Sequence, residues 1–223
     1  FHNSDVEKSY CPTHVFYSDD GGKTWHDTEG LDKIEGDIYS NYVLSYTDFT
    51  ELAGNDGNNT DPAKGGDEKG GAVDFVFPMG AQYNNNGAFC GRVAYTRDGG
   101  LSWHYSDSII TFGNESAFEG GVSEATILER EDGTLVYYAR CQSSGVDNFT
   151  ISYSLDHGVT WLTPGLTSSI YTTNTQALMM TYDFDGFDGN RLTGEPIFMW
   201  GGNNVLGGNS YMRMPLNFAV STN

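Results

Sequence analysis

Positive charge is what this sequence has least of. Over 223 residues, 11 Lys+Arg stand against 30 Asp+Glu, a formal net charge of -19. A nucleic-acid partner must be met with cations that neutralise phosphates, so the balance argues strongly against one. It disfavours adsorption to anionic membranes for the same reason. No apolar run approaches the roughly 18 residues that cross a bilayer, so no membrane span is expected in this chain. Helical periodicity is missing as well. Phe1 opens no signal peptide, as in a mature or trimmed chain. The three cysteines, Cys11, Cys90 and Cys141, are odd in number and match no zinc spacing, so one disulfide with a free thiol and no disulfide at all both stay open. His2, His14, His26, His104 and His157 do not cluster as metal ligands. G-x-S-x-G, P-loop and dinucleotide fingerprints are absent. No metal and no cofactor is expected.

Aromatic residues and glycine are plentiful. Aromatics make up 14%, Gly contributes 29 residues, and charged residues only 18%. This composition describes many short strands joined by tight turns, and it is too aromatic for disorder. The stretch 53–71 holds almost nothing to bury and reads as a surface loop insertion. Sequons stand at Asn58, Asn114 and Asn148. They are about as many as chance supplies at this Asn, Ser and Thr content, so they say little about secretion.

One pattern occurs three times. Ser18, Asp20, Gly22, Thr24 and Trp25 form S-x-D-x-G-x-T-W. Thr96, Asp98, Gly100, Ser102 and Trp103 repeat it, and so do Ser154, Asp156, Gly158, Thr160 and Trp161. Tyr17, Tyr95 and Tyr153 precede the three copies. The chemistry is that of a turn. A short Asp side chain accepts from backbone N–H groups about two residues on, Gly supplies positive φ, and Ser or Thr bonds the turn backbone. The Trp then buries a large apolar face where the second strand begins. Three identical sites are poor candidates for one active site, so these Asp residues read as turn builders rather than catalysts or calcium ligands. The copies start 78 and 58 residues apart, and a partial fourth opens at Ser221. A period of this length with hairpins inside it predicts four-stranded propeller blades. Alternation places strands near 13–18, 42–47, 73–77, 91–96, 125–129, 134–140, 148–154, 175–181, 196–200 and 214–220.

These three copies resemble the Asp-box, or BNR, repeats of the sialidase (neuraminidase) superfamily. The resemblance implies an all-β, sialidase-type β-propeller, six-bladed in the full protein, with three to four blades in one partial domain over 1–223. A more specific segment runs from Ser123-Glu124-Ala125 through Asp132-Gly133 to Arg140. It is similar to the sialidase stretch of Glu, strand, acidic-Gly turn, strand and Arg. By that resemblance Glu124 is the glutamate that pairs with a nucleophilic tyrosine, and Arg140 is the second arginine of a triad gripping the substrate carboxylate. Arg213, on the strand leading to Ser221, takes the third arginine's place. Phe75-Val76-Phe77-Pro78-Met79 and Trp200-Gly201-Gly202-Asn203-Asn204 resemble further family segments. The resemblance also requires a first arginine, an acid–base aspartate and a nucleophilic tyrosine, none of which has a counterpart here. The expectation is therefore an internal stretch of a longer polypeptide, with the missing blades supplied by that polypeptide or by a partner chain.

The chemistry fits the residue types. Arg offers a planar donor fork matched to a carboxylate. A phenol with an ordinary pKa near 10 needs a neighbouring base to attack an oxocarbenium-like centre. The implied function is an exo-glycosidase releasing terminal sialic or related acidic sugars, with a sialylated or acidic glycan as partner and an extracellular or secretory location. A non-catalytic Asp-box propeller, serving as an extracellular binding or structural module, is the alternative. Asp183-Phe184-Asp185-Gly186-Phe187-Asp188 is oxygen-rich but lacks EF-hand spacing, and it reads as an acidic turn rather than a calcium loop. Cys90 and Cys141 lie near equivalent parts of adjacent units, which makes them the pair to check for a disulfide.

Overall fold

The computed structural model describes residues 14–28, 38–44, 49–52, 74–83, 88–112, 121–130, 132–141, 148–171, 177–181, 184–185, 191–192, 196–201 and 216–220. Every regular element among them is a strand. They are β1 (Phe16–Tyr17), β2 (His26–Asp27), β3 (Ile38–Leu44), β4 (Thr50–Glu51), β5 (Phe75–Tyr83), β6 (Ala88–Thr96), β7 (His104–Tyr105) and β8 (Val122–Glu129). After these come β9 (Leu135–Cys141), β10 (Asn148–Ser154), β11 (Gly165–Tyr171), β12 (Ala177–Thr181), β13 (Phe184–Asp185), β14 (Arg191–Leu192), β15 (Pro196–Gly201) and β16 (Leu216–Val220). The loop expected at 53–71, Cys11, Asp183, Asp188, Arg213 and Ser221 lie outside the described residues.

The strands form antiparallel up-and-down sheets. The order is β8-β9-β10-β11 in one sheet, β3-β5-β6-β7 with β4 also on β5 in a second, and β12-β15-β16 in a third. Two-stranded sheets join β1 to β2 and β13 to β14. β9 shows why such sheets stack. Its residues Leu135, Tyr137 and Ala139 pack into one cluster with Val76 and Val93 of the β5–β6 sheet. Tyr138, pointing the other way, packs with Leu128, Phe149, Trp200 and Ala219 at the β15–β16 side. Alternate side chains of one strand thus bury against sheets on both faces, so the strand reads as a continuous apolar run.

Each Asp-box closes a hairpin, at β1–β2, β6–β7 and β10–β11. The first position is the hub. Ser18 Oγ donates to Asp20 Oδ1 at 2.9 Å and accepts from Gly22 N at 2.8 Å. Thr96 and Ser154 make the same two bonds to Asp98 and Gly100, and to Asp156 and Gly158. The Asp reaches further along the chain than an Asx-turn does. Its Oδ1 accepts from the amide four residues on, at Thr24, Ser102 and Thr160, and its Oδ2 accepts from the same residue's hydroxyl. These bonds explain the acidity of the three carboxyls. The Thr24 amide and hydroxyl hold Asp20 down at about 2. For Asp98 and Asp156 burial pushes the other way, but the bonds from Ser102 and Thr160 outweigh it.

Two details differ from the expected pattern. The second strand starts after the Trp, at His26 and His104, and in the third copy not until Gly165. The Trp indole explains this, because it folds back to donate from Nε1 to the carbonyl of Gly22, Gly100 or Gly158. Burial of the Trp also varies. Trp103 and Trp161 are 3% and 7% exposed, whereas Trp25 is 62% exposed. Trp103 lies against Phe77 of its own sheet and Trp161 against Tyr137 of its own. The β1–β2 sheet has no inner strand among the described residues to serve Trp25 in that way.

Cys90 and Cys141 are both buried and are not joined to each other, so the candidate disulfide between them does not form. Near Cys90, the hydroxyl of fully buried Tyr137 finds no hydrogen-bond partner among the described residues. Burial drives this phenol far above its ordinary pKa, so it stays protonated. A buried hydroxyl without a partner costs about 1–3 kcal/mol. Tyr137→Phe is therefore expected to stabilise the chain by about 1 kcal/mol or more, read as a higher midpoint in urea unfolding. A lower midpoint would mean that the hydroxyl has a partner in solution.

Candidate functional site

Two of the three site residues expected from sequence, Glu124 and Arg140, sit on the β8–β9 hairpin. Its turn is built locally. Gly133 N donates to the Arg130 carbonyl at 2.9 Å, Thr134 N donates to Asp132 Oδ1 at 3.0 Å, and Gly133 takes φ +81°. From there the strands pair regularly, Glu129 with Leu135 through Ala125 with Ala139. The register then slips, and the next pair is Ser123 with Arg140. Glu124 is the extra residue in this bulge, and its φ is +25°, a value that side-chain-bearing residues rarely adopt. The bulge also explains a break in alternation. Val122, Ala125 and Ile127 all face the same core cluster although the first two are three residues apart.

Within the bulge, Arg140 Nη1 donates to Glu124 Oε2 at 2.7 Å, with the two side chains 12% and 17% exposed. The structure thus brings together two of the three residues singled out from sequence. The third, Arg213, lies outside the described residues. Of the supporting segments, Val76, Phe77 and Met79 on β5 are core residues, and Trp200 at the end of β15 is buried.

β8 is held on both sides. It is the terminal strand of its sheet, packed against β5 and β12. Thr50 Oγ1 donates to the Ile127 carbonyl at 2.9 Å. Gly121, just before β8, makes a parallel bridge to Phe89 at the start of β6. Its φ is +105°, and a Cβ there would stand 2.1 Å from the Phe89 carbonyl oxygen. Sequence reasoning did not single out Gly121. The only available signal was a glycine pair directly before an apolar strand, which marks a close backbone approach in hindsight. Among the described residues no three His, Cys, Asp or Glu side chains are grouped to hold a metal ion. No helix among them is long and apolar enough to cross a membrane.

Comparison with known proteins bears on the repeat and on the fold. The BNR/Asp-box repeat model matches residues 16–27. No curated protein matches the chain in sequence. Several solved structures share its fold. A protein of unknown function from Dyadobacter fermentans superposes with a TM-score of 0.55 at 18% identity, covering 89% of this chain and 49% of its own. The intramolecular trans-sialidase of Ruminococcus gnavus, in complex with oseltamivir carboxylate, gives 0.53 at 22%, covering 83% and 32%. The leech intramolecular trans-sialidase, complexed with 2,7-anhydro-Neu5Ac, gives 0.55 at 21%, covering 87% and 24%. The chain therefore spans about half the length of these relatives or less. Its fold is all-β, of the sialidase β-propeller type, and residues 16–27 carry a BNR/Asp-box repeat.

Proposed function

We propose that the protein carrying this chain is a sialidase-like exo-glycosidase that releases terminal sialic or related acidic sugars from extracellular glycoconjugates. The observation that carries this reading is the Glu124–Arg140 pair, a glutamate in a strained bulge bonded to an arginine on the next strand. Strained backbone persists where surrounding structure over-determines it, and it concentrates at functional sites. In this reading Arg140 grips the sugar carboxylate through its guanidinium fork. Glu124 accepts the proton of a tyrosine nucleophile, which makes the phenol reactive at neutral pH. Arg213 adds a second guanidinium. The aspartate and tyrosine that complete the reaction come from segments without a counterpart in residues 1–223. The matching trans-sialidases support an acidic sugar as ligand, because one is complexed with a carboxylate inhibitor and the other with an anhydro sialic acid.

The test is hydrolysis of a fluorogenic α-sialoside by the protein and by Arg140→Lys. Lysine keeps the charge but loses the fork. A hydrogen bond to a charged group is worth about 1.5–3 kcal/mol, so kcat/KM should fall about ten- to hundredfold. A neutral galactoside serves as control. Equal rates for both proteins would refute the role of Arg140. No hydrolysis by a polypeptide that contains all the required blades would favour the non-catalytic binding module.

A further inference from the structure

We infer that Glu124 has a second task, as the positioning residue that orients Arg140 toward a bound carboxylate. The inference rests on the sialidase-like reading and deepens it.

The ion pair carries the inference. Directly paired residues share a face, and successive residues alternate faces. Continued past Ala125 and Ala139, the regular register would set Glu124 opposite Arg140, on the same face. The slip gives Arg140 to Ser123 instead and leaves Glu124 as the extra residue, at φ +25°. Glu124 nevertheless keeps its Oε2 2.7 Å from Arg140 Nη1, with both side chains mostly buried. The flanks hold it in place. Ser123 and Ala125 are buried, and Val122 and Ile127 sit in the core on either side.

An arginine loses much rotamer freedom when a ligand fixes its guanidinium. A resident carboxylate in a mostly buried site fixes the guanidinium beforehand, so a ligand carboxylate meets a fork already oriented. A glutamate that acted only on the nucleophile's proton would affect the chemical step and not the affinity for a carboxylate ligand.

The experiment measures binding of N-acetylneuraminic acid and of its C1 amide by titration calorimetry. The proteins are the full polypeptide and its variants Glu124→Gln, Glu124→Gly, Arg140→Met and the double variant Glu124→Gln/Arg140→Met. Glu124→Gly removes the carboxylate while permitting the positive φ, so it covers the case in which the glutamine variant fails to fold. The expected result is at least tenfold weaker binding of the acid in both Glu124 variants, with the amide unchanged. In the Arg140→Met background, Glu124→Gln should add no further loss.

Undiminished acid affinity in the Glu124 variants, with hydrolysis abolished, would confine Glu124 to the chemical step and overturn the positioning role. Tighter binding of the acid would make Glu124 a rival occupant of Arg140 and overturn it equally. A wild-type protein that does not prefer the acid over the amide would instead overturn the sialidase-like reading itself.

Discussion

Gly121→Ala is expected to destabilise the chain by more than about 4 kcal/mol, among the largest losses a single methyl group can cause. Two independent penalties coincide at this position. The backbone sits at φ +105°, where an L side chain is strained whatever the surrounding space. The added Cβ would stand 2.1 Å from the Phe89 carbonyl oxygen, which is backbone and tied into β6. Gly91 makes a useful contrast. There the Cβ would also meet an atom at 2.1 Å, but that atom is the Tyr137 hydroxyl at the end of a side chain. The parallel bridge at Gly121 fixes where β8 begins against the neighbouring sheet, three residues before Glu124. Under the sialidase-like proposal, the variant should therefore lose carboxylate binding along with stability. Urea unfolding at unchanged m-value reads the stability change. A loss below about 1 kcal/mol would mean that the junction between the two sheets can slide.

The legible parts of the sequence were those with a local cause. Each Asp-box closes its own hydrogen bonds within eight residues, so the pattern carried the turn with it. The strand expected at 148–154 appears as β10 over the same residues, because Asn148–Ser154 alternates between two buried faces. The strand expected at 125–129 begins instead at Val122. Alternation can be followed backward only to Ala125, since the bulge at Glu124 shifts the pattern by one. The feature that hid the strand's start thus lies at Glu124 itself, one of the two residues in the ion pair with Arg140. The second strand expected to begin at Trp161 starts only at Gly165, as β11, Gly165–Tyr171. Its Gly-Leu-Thr-Ser-Ser-Ile-Tyr sequence has little apolar content. Its place is set by pairing with β10 and by Thr167, whose carbonyl accepts from Asn148 Nδ2 and whose hydroxyl accepts from Phe149 N. The exposure of Trp25 was likewise invisible, because its local sequence matches the buried copies and the difference lies in the neighbouring sheet.

Arg97 couples two sheets through the variable second position of its Asp-box, and removing it is the other large effect to expect. Its Nη2 donates to the His157 carbonyl at 2.7 Å in the next box, its Nη1 meets Asp74 Oδ2 at 3.4 Å, and its guanidinium lies 4.9 Å over the Tyr95 ring. The seam continues through Asp107 N to the Val159 carbonyl and Trp161 N to Ser108 Oγ. Arg97→Met leaves the Asp74 carboxylate, 2% exposed, without its guanidinium. Breaking a buried pair in this way costs about 3–5 kcal/mol. Asp74→Asn in the Arg97→Met background should recover part of that loss, since it removes the buried charge that the guanidinium offset. No recovery would mean that the bond to His157 carries the seam.

The same seam gives the chain a pH dependence of defined sign. Burial, and then the nearby Arg97 charge, hold the His157 imidazole below its ordinary 6.5, against an opposing pull from Asp156. Below pH 6.5 the unfolded chain therefore binds more protons than the folded one, and stability falls as the pH is lowered from there. The box carboxylates, lowered in the fold, contribute nothing to this step. Their stabilisation is present above about 3.8 and is lost only below it, toward about 2 at Asp20. His157 also holds φ +55° where the other two boxes have Gly21 and Gly99, and asparagine tolerates that conformation better. His157→Asn should thus flatten the melting temperature between pH 7 and 5 while leaving the loss below pH 4 in place. Parallel melting curves for the two proteins across pH 7 to 5 would assign the acid sensitivity to another group.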